Sequence, residues 1–122
     1  MGDSDNGANP EPYDRLLSEI IRPLAFGVLG YTHFAVGELN TLRRNSRSIM
    51  NGPLNAFLNE LERHIYASGI DHSLNSAMKA ATMDTDKDVD FYVQQARDFK
   101  SHVQEPDIEK RIAEILWVLW RR

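Results

Sequence analysis

With 122 residues, the chain fits one domain that buries a single hydrophobic core, and two independent domains are not expected. It contains no cysteine, which excludes disulfides, thiolate metal sites and thiol catalysis and agrees with a cytoplasmic protein. A formal net charge of −4 argues against a surface that binds nucleic acid or anionic lipid nonspecifically over its whole area.

The opening MGDSDNGANPEP is polar and acidic, where a secretory signal needs a positive start and an apolar run. Residues 1–10 are predicted to form a disordered tail, because so little apolar area cannot offset the entropy of ordering; residues 11–122 are predicted to form the domain. From Tyr13 onward, Leu16, Leu17, Ile20, Ile21, Leu24 and Val28 follow helical spacing. Pro23 lies inside that pattern and predicts a kink or a division near Ile21, while Gly27 and Gly30 predict a break near Gly30. Tyr31 to Leu42 reads as a second helix, with Phe34, Ala35, Leu39 and Leu42 on its apolar face. The span from Pro23 to Gly37 is uncharged apart from His33, but it is shorter than the roughly 20 residues a spanning helix needs, and it reads as buried.

Asn45 to Gly52 is turn-like, and Gly52-Pro53 marks a new start, since proline suits the first turn of a helix. Leu54, Phe57, Leu58, Leu61 and Ile65 then make an amphipathic row that Ser68-Gly69 is expected to stop. A shorter helix through Leu74, Ala77, Met78 and Ala81, capped by Asp71 or Ser73, is expected next. Val89, Val93, Ala96, Phe99 and Val103 define a further helix ending at Glu105-Pro106, and Asp107 is positioned to cap the last. No segment alternates in the manner of a strand and no period repeats. The predicted fold is an all-α, single-domain bundle of five to six helices.

The last helix is the most informative segment. At 100° per residue, Ile108, Ile112, Ile115, Leu116 and Leu119 share one side, Trp117 falls opposite, and Val118 and Trp120 lie on the flanks. Such a helix either sits centrally in its own bundle or leaves a face for a second chain. Trp117 and Trp120 with Arg121 and Arg122 have the composition of interface anchors, while Glu109 and Glu114 oppose docking on anionic lipid.

Motifs for chemistry fall short. Asp84, Asp86, Asp88 and Asp90 resemble the start of a calcium loop, but its sixth position holds Val89 where glycine is needed and its twelfth holds Gln95 where a bidentate glutamate is needed. Carboxylates at a helix start explain the run, because they complement the helix dipole. Glu60 and His64 share a helix face as a surface pair, whereas the spacing of a carboxylate-bridged metal centre is missing, and His33 reads as a hydrogen-bonded interior histidine. There is no nucleophile elbow and no phosphate loop.

These features predict a non-catalytic protein-interaction module, or a small structural or regulatory subunit of a larger assembly, with no cofactor, no metal and no membrane partner. It is expected to associate, as a homodimer or with another protein, through apolar helix faces including Trp117, Val118, Trp120 and Arg121. The alternative is a helical subunit of a nucleoprotein complex in which Arg43, Arg44 and Arg47 contact phosphates, although the first two also suit a helix C-terminus.

Overall fold

The computed structural model describes residues 11–83, 86–103 and 108–121, and in it five α-helices form one bundle: α1 (Glu11–Val28), α2 (Thr32–Asn45), α3 (Gly52–Thr82), α4 (Asp86–Lys100) and α5 (Ile108–Arg121). A single 3₁₀ turn, Arg47–Ile49, leads into α3. No strand occurs among the described residues. The predicted tail, the Asp107 cap, Asp84 and the Glu105-Pro106 stop lie outside them.

α1 does not divide at Pro23; the helix continues through it, and the proline ring is buried. It ends where Gly30 takes a φ of 90°, a left-handed conformation that glycine adopts without a Cβ penalty. The Tyr31 amide donates to the Phe26 carbonyl at 2.9 Å and the Gly30 amide to the Gly27 carbonyl at 3.1 Å, the paired bonds of a Schellman stop. α3 adds two further donors to this end: the Ser68 hydroxyl reaches the Gly27 carbonyl at 3.0 Å, and His72 Nε2 donates to the Val28 carbonyl at 2.7 Å. α3 begins as expected, with the Asn51 side chain accepting from the Leu54 amide at 2.8 Å and Pro53 in the first turn.

The predicted stop at Ser68-Gly69 does not occur. α3 runs 31 residues without interruption, about 46 Å at 1.5 Å per residue, and absorbs the separate short helix expected after it. Gly69 is buried where two neighbours come close: an added Cβ would collide with the Thr32 hydroxyl and lie 3.1 Å from the Phe99 ring. The glycine serves a helix crossing, and packing overrides its weak helix propensity.

α3 packs against all four other helices and divides the core into two clusters. Leu16 and Ile20 of α1, Ala35, Leu39 and Leu42 of α2, and Leu58, Leu61 and Ile65 of α3 form one. The remainder of α3, from Tyr66 to Ala81, joins Val89, Val93, Ala96 and Phe99 of α4 and Ile108, Ile112 and Ile115 of α5 in the other. Val36 touches both clusters. Ion pairs join the helices at their surfaces: Arg22 with Glu38, Arg43 with Glu62, Asp71 with Arg111, and Arg97 with Glu109. The hydrogen bond from Arg97 holds the Glu109 carboxyl below the usual range, the nearby positive charges adding to that effect.

Tyr66 stacks flat on His102, with ring centroids 4.0 Å apart, and its phenol is raised above the ordinary value of 10.0, first by burial and then by the Glu62 charge. The folded state therefore holds this proton more tightly than the unfolded chain does. The resulting stability is fully present below pH 10 and is lost as pH rises through the folded value. An ultraviolet titration of tyrosinate is expected to show one phenol ionising late, and Glu62→Gln is expected to bring it part of the way back; a midpoint unmoved by that substitution would remove Glu62 as a cause.

Candidate functional site

Two apolar helix faces stand outside the core, and they are the candidate functional surface. The first lies on α5. Ile108, Ile112 and Ile115 are buried and Leu116, Val118 and Leu119 are partly covered against the same cluster, so the inward stripe lies where its spacing places it. Trp117 is 55% exposed and Trp120 is 79% exposed. The Arg121 guanidinium lies 4.4 Å from the Trp117 ring centroid, within cation–π range. Of the four residues singled out on this helix, Trp117, Trp120 and Arg121 face outward, and Val118 is half-buried on the flank.

The second face is on α1 and was not separated from the core by periodicity. Leu16, Ile20, Pro23 and Gly27 are buried, whereas Leu17, Ile21, Leu24 and Val28, each one residue further on, are 43–64% exposed. Both rows follow the same spacing and sit about 100° apart on the helix. The signal was present as two interleaved rows, but periodicity alone does not say which row α2 and α3 cover.

The arginine cluster is split. The Arg43 guanidinium pairs with Glu62 at 2.6 Å and donates to Asn40 at 2.9 Å and Asn59 at 2.8 Å, so it ties α2 to α3. Arg44 at the end of α2 and Arg47 in the 3₁₀ turn are exposed. A polar recess of about 360 Å³ next to them is lined by Arg15, Glu19, Asn45, Ser46 and Ser48 and thus brings opposite charges together.

No protein family, no curated protein and no solved structure was found to match this chain.

His33 is not the interior histidine its apolar surroundings suggested. It is exposed, because it lies about 150° around α2 from the Ala35, Leu39 and Leu42 row, and its ring packs 5.1 Å from that of Phe99. It borders an open recess of about 270 Å³ shared with Tyr31, Phe34 and Gln95. Gln95 accepts a hydrogen bond from Ser73 at 2.8 Å, and the buried Thr32 hydroxyl has no hydrogen-bond partner among the described residues. His64 meets Glu60 at 3.5 Å as the expected surface pair. Asp86, Asp88 and Asp90 are exposed in the first turns of α4. Among the described residues, no group of three or more histidines and carboxylates converges as a metal site, and no helix is long and apolar enough to cross a membrane. The histidine with the clearest structural duty, His72, carries no local sequence signal for it, since its role depends on the α1 terminus lying beside it.

Proposed function

We propose that this chain is a non-catalytic protein-association module, cytoplasmic in setting, that works as a small subunit of a larger assembly. The observation that carries the reading is the pair of tryptophans on α5, held outside the core and braced by Arg121. Exposed tryptophan beside arginine supplies large, rigid contact area, and these residue types dominate the energy of protein interfaces. An aromatic face costs solubility unless it is used, and α5 needs only its isoleucine side to dock on its own bundle.

A photo-crosslinking amino acid at Trp120, compared with one at the exposed Asn75, tests this in extract of the native cell. Polypeptide adducts specific to position 120, and insensitive to nuclease and to high salt, are the expected result. Adducts no different from those at Asn75 would overturn the reading.

The second reading rests on Arg44 and Arg47, which are exposed and carry no ion pair among the described residues. Two arginines on a chain of net charge −4, with Arg43 already committed to Glu62, offer a weak phosphate site. Nuclease-sensitive adducts that disappear steeply with salt would favour it over the first.

A further inference from the structure

We propose that the exposed row of α1 is a dimer seam, covered in solution by α1 of a second copy of this chain. The proposal rests on the association reading but assigns a different surface and a definite partner. Leu17, Ile21, Leu24 and Val28 are spaced by four, three and four residues, the a/d repeat of two heptads, and they fall within about 60° of the helix circumference. The β-branched residues Ile21 and Val28 occupy the a positions and leucines occupy the d positions, the combination that favours two strands.

The flanks of the row fit the same partner. On one side, Ile20 and Gly27 are buried in the bundle core; on the other stand Ser18 and Ala25, both exposed and small. These four flanking residues carry no charge, and Asp14, the charge nearest the row, stands at its N-terminal end, at the rim of the seam. The nearest arginines, Arg15 and Arg22, lie further round the helix, and Arg22 is drawn toward Glu38 of α2.

Area supports the same occupant. At on the order of 100 Å² each, these four side chains on two copies remove about 800 Å² from water, and Ser18 and Ala25 extend the contact toward the roughly 1,000 Å² that separates a weak, reversible interface from a stable one. The residues preceding α1, MGDSDNGANP, include only Met1, Ala8 and Pro10 as apolar side chains and lack the repeat that would match this row. A flat lipid surface has no use for a two-heptad register, and the net charge of −4 disfavours anionic bilayers.

Light scattering on the purified full chain across a concentration series tests the seam. The expected mass is twice 14.0 kDa, retained at high salt. Ile21→Glu, at a site 64% exposed, is expected to keep the far-ultraviolet helical signal and weaken the dimer on the order of 100-fold, because the dimer buries an unpaired carboxylate. Ile21→Val is expected to keep the dimer, as is Trp117→Ala with Trp120→Ala. Since the chain has no cysteine, Leu17→Cys and Val28→Cys chains provide a second measurement. Oxidation is expected to join like positions in a parallel pair, or position 17 to position 28 in an antiparallel pair, and not an Asn75→Cys control. A monomer at every concentration, a dimer indifferent to Ile21→Glu, a dimer lost with the tryptophans, or a monomer that floats with vesicles would each overturn the seam. Adducts at position 120 report on the association reading independently of these outcomes.

Discussion

Gly69→Val is expected to destabilise the protein by about 2–3 kcal/mol, read as a lower urea midpoint with an unchanged denaturant slope. The position lies mid-helix, where valine has better helix propensity than glycine, so local chemistry alone predicts a small gain. Packing reverses the sign. An added Cβ meets the Thr32 hydroxyl well inside contact distance and approaches the Thr32 methyl at 3.0 Å and Phe99 at 3.1 Å. Thr32 is β-branched and only 2% exposed, so it has little freedom to move aside. Gly69→Ala is the milder probe, and a double-mutant cycle with Thr32→Ala is expected to return part of the loss, because the second truncation vacates the space the first one needs. A valine variant as stable as the natural chain would mean that α2, α3 and α4 do not approach at Gly69.

That position also shows where the sequence ceases to be legible. Gly30 and Gly69 both follow an apolar helical run, and both read as stops. Gly30 is one, because its left-handed backbone completes paired terminal hydrogen bonds. Gly69 is not, because its missing Cβ is used by side chains from α2 and α4 that no local window contains. The Gly52-Pro53 start is legible in the sequence because it needs only neighbouring residues, and α3 begins there.

The same division holds for the candidate surfaces. Rotation about α5 placed Trp117 opposite the isoleucine stripe, since that geometry is intrinsic to one helix. Whether another helix covered it was a tertiary question, and the answer is exposure. On α1 the two apolar rows have equal spacing, and only the positions of α2 and α3 distinguish core from surface. Arg43 reads as one of three equivalent cations until α3 brings Glu62 to it. His33 reads as interior from the apolar composition of its neighbours, but its angular position on α2 turns it away from the core row.

The two sides of α5 are expected to respond in opposite ways to truncation. Ile112 is 1% exposed within the core cluster, and Ile112→Ala is expected to cost about 2–5 kcal/mol in thermal or urea unfolding, through lost burial and the cavity left behind. A 14-residue helix is marginal on its own, so its order depends on that docking. Trp117→Ala with Trp120→Ala removes far more side-chain volume, yet is expected to change stability by no more than about 1 kcal/mol, the order of the Arg121 cation–π contact. Hot-spot tryptophans are worth about 2–4 kcal/mol to an interface, so the same double substitution is expected to weaken capture of the crosslinked partner by roughly 30- to 1,000-fold. Volume removed and stability lost would then run in opposite order along a single helix, which distinguishes a binding face from a packing face. If the tryptophan pair costs as much folding stability as Ile112 while partner capture is untouched, the outer side of α5 is structural, and the association reading loses the observation that carries it.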